Sequence, residues 1–337
     1  MIYREDIEVS KKYKESYAAG IEKLIAEKQS EAIEKRRAYS ENIFKNPEKY
    51  RTDLKKMLGW PLVDYTPEGI PAVNSIKLSD EGEYTLYRLQ IEILSGVSLC
   101  GLYFRKNREG KRPMVLVQHG RLGTPERISG AYGETYNYHD MLERVRRCGV
   151  DVFAPQLLLW DEHYAVPYDR YSTDARLKRL GSSICAVELF GFTRILDYFQ
   201  SKEEYSSFGM VGLSYGGFYT LYTAAIDKRI TSSISCSFFN SRDAFAFCDW
   251  TWYRSAEMFD DAEVACLVYP RRICLEMGDG DQLFALRHTM SSYERIKELA
   301  VDVGTDWVEL LPFAGVHEFC KDDAPIERLV NDLINTK

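Results

Sequence analysis

Apolar and polar residues alternate strictly from Tyr87 to Ile93: Tyr87, Leu89, Ile91 and Ile93 fall on one face, and Arg88, Gln90 and Glu92 on the other. A period of two predicts a strand with one packed face and one wet face. Ser95-Gly96 then turns the chain, and Val97, Leu99 and Tyr103 resume the same period. An antiparallel hairpin is therefore expected to open a sheet. After it the pattern changes, because Met114-Val115-Leu116-Val117 is apolar without a break, as a parallel strand buried on both faces requires. Val150–Ala154, Phe208–Val211, Ile230–Cys236, Ile273–Met277 and Trp307–Leu311 read as further strands, eight in all.

Helical stretches at 138–147, 183–200, 217–226 and 285–300 separate most of these strands, and a last helix at Pro325–Ile334 gathers Ile326, Leu329, Val330 and Leu333 on one side. Strand and helix in alternation predict an α/β fold, a mostly parallel eight-stranded sheet with helices on both faces. Upstream, residues 8 to 58 are rich in Lys, Glu and Ala and read as helical. The clearest helix there opens at Asn46-Pro47-Glu48, carries Tyr50, Leu54, Met57 and Leu58 on one face, and stops at Gly59. The expected organisation is an N-terminal helical arm or cap over 1–80 and a catalytic domain over 81–337.

Two intervals, about 155–180 and 239–268, are too long for turns and behave in sequence as insertions beside the sheet. Both are aromatic: Trp160, Tyr164, Tyr168 and Tyr171 in the first, Phe245, Phe247, Trp250, Trp252 and Tyr253 in the second. Most are expected to pack against the core, with Trp160, Trp250 and Trp252 as candidate substrate contacts.

Composition narrows the classes. The chain has 337 residues, 45% hydrophobic and 28% charged, which is ordinary for a globular protein. A formal charge of -7 argues against nucleic acid as the main partner, since phosphate binding needs a basic surface. Met1–Asp6 lacks the basic and then apolar regions of a secretory leader, and no apolar run approaches the roughly 20 residues of a membrane span. A cytoplasmic location without a membrane partner is expected. The eight cysteines (100, 148, 185, 236, 248, 266, 274, 320) contain no Cys-x-x-Cys pair and read as reduced core thiols.

The chemistry begins at Gly212-Leu213-Ser214-Tyr215-Gly216, a serine between glycines, after a strand and before a helix. A strand that turns at once into a helix strains the residue at the bend and pushes its side chain outward. Three fixed positions of this kind arise by accident in about one chain of this length in ten, so context decides. A serine hydroxyl needs a base oriented by a carboxylate. His317 follows the last strand, on the edge of the sheet where the serine bend lies. Asp281 follows the strand ending at Met277, ahead of the competing Asp279, Glu276 and Asp243. The order is Ser214, Asp281, His317.

Attack on a carbonyl also requires two preset donors for the oxyanion. The N–H of Tyr215 is one candidate. The other is the N–H of Arg121, in the loop His119-Gly120-Arg121-Leu122-Gly123, with Leu122 as the second choice. His119 is expected to support that loop and is carried as a candidate substrate contact. His139, His163 and His288 read as surface or structural. No His-Glu-x-x-His or His-x-His spacing occurs, so no metal is expected. Gly278-x-Gly280 is followed by Leu283 where a dinucleotide turn needs glycine, so no cofactor is expected either.

These residues together resemble the α/β-hydrolase superfamily over roughly 84–337. The dienelactone-hydrolase-like and acetyl xylan esterase-like branch is suggested by Leu58-Gly59-Trp60-Pro61, by Leu180-Gly181-Ser182-Ser183 leading to Leu196-Asp197-Tyr198, and by Leu116-Val117-Gln118-His119-Gly120. The His-Gly-Gly-Gly run of many lipases is absent, so the oxyanion loop does not carry over residue by residue. The resemblance implies a serine hydrolase acting on carboxylic esters, with a small ester or acylated sugar as substrate. A prolyl-oligopeptidase-like peptidase and a non-catalytic binding protein of the same fold are the alternatives, and association with a second copy is left open.

Overall fold

The computed structural model describes residues 2–60, 69–159, 168–244 and 247–335. Nine strands form one sheet: β1 (Val73–Glu81), β2 (Tyr84–Leu94), β3 (Val97–Lys106), β4 (Arg112–Gln118), β5 (Asp151–Pro155), β6 (Tyr205–Leu213), β7 (Ile230–Cys236), β8 (Arg272–Gly278) and β9 (Val308–Phe313). Their spatial order is β1-β2-β3-β5-β4-β6-β7-β8-β9. β1, β2 and β3 pair antiparallel, β3 runs antiparallel to β5, and every pair from β5 to β9 is parallel.

The count corrects the expected eight. β1 is an edge strand whose side chains are almost all wet, with Ile76 and Leu78 exposed. Its stability comes from the backbone ladder to β2 rather than from a buried face, so it leaves little alternation to read.

The helices are α1 (Ile7–Ser40), α2 (Pro47–Leu58), α3 (Pro125–Ile128), α4 (Met141–Arg147), α5 (Arg170–Arg179), α6 (Ile184–Gln200), α7 (Tyr215–Ile226), α8 (Asp261–Cys266), α9 (Leu286–Leu299) and α10 (Ala324–Asn335). The unbroken apolar run of β4 feeds two cores. Met114 and Leu116 pack with α2, α6 and α7 on one face, while Val115 and Val117 pack with α4 and α10 on the other. All seven β4 residues are buried, which is what the period-two geometry of a doubly covered strand demands.

Of α1, only Ala32, Arg36 and Ser40 are buried. Arg36 anchors it through Asp243 at 3.2 Å and Asp260 at 3.4 Å. α2 is seated more firmly: Leu54 and Leu58 are fully buried, and the Arg51 guanidinium donates to the carbonyls of Ala225 (2.9 Å) and Leu267 (2.7 Å). Ala225 lies at the far end of α7 from Ser214, so α2 buttresses the sheet away from the serine bend.

Candidate active site

The carboxyl ends of β4, β6, β8 and β9 converge on one edge, and each delivers one part of the site. At the end of β6 the chain turns into α7 through Ser214, which adopts φ 60° and ψ -118°. That conformation is rare for a residue with a side chain and costs on the order of 1–3 kcal/mol. Close packing holds it. The Ser214 N–H donates to the Cys236 carbonyl at 2.9 Å, tying the bend to β7. A Cβ on Gly212 would lie 2.3 Å from the Gly216 carbonyl oxygen, and one on Gly216 would lie 2.1 Å from that of Gln118. Only glycine lets β6, α7 and the end of β4 approach so closely.

After β8, Asp281 is buried and its carboxylate is oriented twice over. Oδ1 accepts the N–H groups of Leu283 (2.8 Å) and Phe284 (3.0 Å), while Oδ2 faces Nδ1 of His317 at 2.8 Å. A proton held on Nδ1 leaves Nε2 as the basic nitrogen. Phe284 flanks the imidazole, with ring centroids 5.7 Å apart. The competing carboxylates are placed otherwise: Asp279 accepts the Gly315 N–H, Asp243 pairs with Arg36, and Glu276 is buried within the sheet.

The His317 loop is also stapled from outside. Asn137 donates its side-chain amide to the His317 carbonyl at 3.1 Å, its own carbonyl accepts the Phe319 N–H at 2.8 Å, and His139 Nε2 meets Glu318 at 2.7 Å. Asn137 lies in a single 3-10 turn, Tyr136–Tyr138, within a segment where Tyr136, His139 and Asp140 all have positive φ.

Ser214 and His317 open onto the same cavity of about 910 Å³. Its described walls come from the loop after β4 (Gly120, Arg121, Leu122), from Arg127 and Tyr136–Tyr138, from Leu213 and Tyr215, and from Phe247, Trp250, Leu283 and Phe284. The sequence reading missed Arg127 and Tyr136–Tyr138. They sit in the irregular run between β4 and α4, where no period points inward, and the length of that run was the one available signal.

Tyr215 and Arg121 are thus at the cavity with Ser214, as is Trp250. Two expected contacts need correction. His119 is fully buried: Nδ1 pairs with the Gly120 carbonyl at 2.9 Å and Nε2 accepts the Leu157 N–H at 3.2 Å. Its ring is spent on bracing the loop against the end of β5. Trp252 is buried too, donating Nε1–H to Ser183 at 3.2 Å and stacking on Phe218, so the hydrophobic effect has drawn it into the core. Trp160 and His163 lie outside the described residues.

A buried ionic network underlies the cavity floor. Arg170, wholly inaccessible, donates to Asp249 at 2.7 Å, to Glu188 at 2.9 and 3.1 Å and to the Tyr219 hydroxyl at 2.8 Å. The Tyr215 hydroxyl donates to Asp249 at 3.1 Å, and burial pushes that phenol far above its ordinary range. The two insertions are thereby tied to the first turn of α7.

Comparison with known proteins agrees with this architecture. A solved structure titled as a putative acetyl xylan esterase from Bacteroides fragilis NCTC 9343 superposes with a TM-score of 0.64 at 15% identity, over 81% of this chain and 76% of that one. The chain has the α/β-hydrolase fold. A glucuronoyl esterase from Solibacter usitatus shares that α/β-hydrolase fold, with a TM-score of 0.59 at 15% identity over 84% of this chain and 91% of that one. In sequence, the Bacillus subtilis (strain 168) protein "Putative hydrolase YtaP" is 26% identical over 194 residues, 53% of this chain and 62% of that relative. The match therefore spans less than two thirds of that relative's length. No family model matches. Among the described residues, no helix is long and apolar enough to cross a membrane.

Proposed function

We propose that this protein is a serine esterase that cleaves small-acyl or carbohydrate carboxylic esters through an acyl-enzyme. One observation carries the reading: a serine at positive φ on a strand-to-helix bend shares its cavity with a histidine whose other ring nitrogen is held by a buried, doubly oriented aspartate. Ser214 Oγ attacks the ester carbonyl carbon and its proton passes to His317 Nε2. The carbon–oxygen bond to the alcohol breaks, and the alcohol leaves with that proton. Water then attacks the acyl-enzyme, His317 takes one of its protons, and the acid departs as the proton returns to Ser214.

Asp281 keeps the imidazole in the productive tautomer and offsets the positive charge it gains. The backbone N–H groups of Tyr215 and Arg121 take the oxyanion, Tyr215 being at the first turn of a helix where N–H groups have no intrahelical acceptor. The aromatic walls, Trp250, Phe247, Phe284 and Tyr136 among them, suit a ring-shaped substrate with apolar faces and polar edges. Structures titled as acetyl xylan and glucuronoyl esterases share the fold, which favours a sugar ester. Within the stretch 1–80, the helices α1 and α2 read best as a packing arm rather than a lid, because no described residue before Gly120 lines the cavity, while Val73–Glu81 belongs to the sheet as β1.

The test is a panel of acetyl and butyryl aryl esters and acetylated sugars, assayed with the native protein and Ser214→Ala, together with fluorophosphonate labelling read by mass spectrometry. The native protein should turn over at least one ester class and carry the adduct on Ser214, and Ser214→Ala should lose at least about 1,000-fold in kcat. Activity that survives the substitution would overturn the assignment.

A further inference from the structure

The loop after β4 is closed as a turn: the Gly123 N–H donates to the Gly120 carbonyl at 3.1 Å, which leaves Arg121 and Leu122 as its central residues. A turn with glycine at both ends does not fix its own height above the sheet. Tyr138 supplies that restraint. The Gly120 N–H donates to the Tyr138 hydroxyl at 2.9 Å. A Cβ on Gly123 would lie 2.2 Å from that oxygen, and one on Gly120 would lie 3.3 Å from it and 3.2 Å from Ser214 Cβ. The turn is thus wrapped round a phenol oxygen, and the glycine that hangs on it is the one packed beside the serine. The Tyr138 ring is buried in the core that holds Val117, Ile128 and Met141, so the oxygen sits on a rigid lever. Tyr50 and Tyr84 are used differently, donating to the carbonyls of Tyr39 and Arg146 to tie one element to another.

The segment that presents Tyr138 is itself strained. Tyr136, His139 and Asp140 have φ of 49°, 46° and 56°, conformations that residues with side chains rarely adopt and that persist only where the surroundings over-determine them. Here they do. Thr135 Oγ1 donates to the Asp140 carboxylate at 2.7 Å and accepts the Asp140 N–H at 2.9 Å, and the Arg127 guanidinium lies 5.1 Å over the Tyr136 ring. Asn137, one residue before Tyr138, bonds to the His317 loop from both its side chain and its main chain. β4 and β9, which carry the two loops, are separated in the sheet by β6, β7 and β8. Two successive residues of one segment therefore grip both.

We propose that Tyr138 is a positioning residue for catalysis: its hydroxyl, by accepting the Gly120 N–H, holds the Gly120–Gly123 turn level with Ser214 so that the Arg121 N–H meets the oxyanion. With its own N–H given to Tyr138, Gly120 has none to offer, and the task falls to the next residue. Tyr138 acts through Gly120 rather than on the substrate. The role rests on the serine-esterase reading.

Tyr138→Phe keeps the ring and removes the acceptor. Rates on 4-nitrophenyl acetate are taken per active site, counted by fluorophosphonate titration. The kcat should fall by about 10- to 100-fold, short of the roughly 100- to 1,000-fold that follows outright loss of an oxyanion donor, with KM within about twofold of native. Affinity for a trifluoromethyl ketone, which forms a tetrahedral adduct on the serine, should fall by the same factor as kcat/KM. The acid limb of kcat/KM against pH, set by the base, should not move. Gly123→Ala tests the same contact from the other side and serves if Tyr138→Phe does not fold: its methyl group pushes the turn off the hydroxyl, and kcat and ketone affinity should again fall together. The losses in Tyr138→Phe/Gly123→Ala should be less than additive. A kcat per site within about twofold of native in Tyr138→Phe, a loss that leaves ketone affinity intact, or a displaced acid limb would overturn the positioning role alone. A native protein that neither hydrolyses an ester nor labels at Ser214 would overturn the esterase reading and this role with it.

Discussion

At the scale of single residues, the site depends on positions where one atom more is too many. A methyl group on Gly216 would lie 2.1 Å from the Gln118 carbonyl oxygen, so Gly216→Ala forces α7 away from the strand that carries the proposed oxyanion loop. The expected result is a loss of roughly 2–4 kcal/mol in urea unfolding, together with a fall in ester turnover larger than the unfolded fraction explains. Glu276 offers a test of a different kind. Burial raises its carboxyl from the ordinary 4.5 to about 7, and neither oxygen has a hydrogen-bond partner. Between those two values the folded protein holds a proton there that the unfolded chain has released. Stability therefore falls as pH rises through that window, by roughly 3 kcal/mol, and levels off above it. Glu276→Gln should gain on the native protein between pH 4.5 and 7 when unfolding free energies are compared. A difference that stays constant from pH 4 to 8 would mean the carboxyl is not held neutral.

Among elements, the network at Arg170 joins what the chain separates. It links α5, α6, α7 and the loop carrying Asp249 through charges removed from water. Breaking such a set from one side leaves carboxylates buried and unpaired, at a cost of about 3–5 kcal/mol. Arg170→Met should show that loss in denaturant unfolding, and Arg170→Met/Glu188→Gln should recover part of it. An equal loss in both variants would assign the cost to packing instead. Because Tyr215 bonds to the same Asp249, turnover should drop further than stability alone accounts for.

The whole molecule divides into a sheet with its helices and a long first helix that is seated on them only through its last turns. No described residue before Ala32 is buried, so deleting residues 2–28 should change the unfolding free energy by less than about 0.5 kcal/mol. Sedimentation of both forms shows whether this stretch joins copies of the chain, in which case the truncation lowers the molar mass. The sheet from β2 to β9 was readable from apolar periodicity, because a strand buried on one or two faces must write that burial into its own residues. β1 was not, since an edge strand in water needs only its backbone ladder. The shared sheet edge of the candidates Ser214, Asp281 and His317 was readable for a related reason: each stands in the turn that follows a strand, so its place follows from local pattern and chain order. The walls were another matter. Trp252 turned inward to Ser183, His119 was spent on the end of β5, and Arg127 came to lie over Tyr136 without any period announcing it. The sequence by itself determined the α/β layering and the edge where the chemistry gathers, because both are set by contacts that neighbours along the chain dictate. The tertiary structure alone decided which aromatic rings and which cations face the cavity, because that depends on side chains far apart in sequence, such as Arg170 and Asp249, meeting where water is excluded.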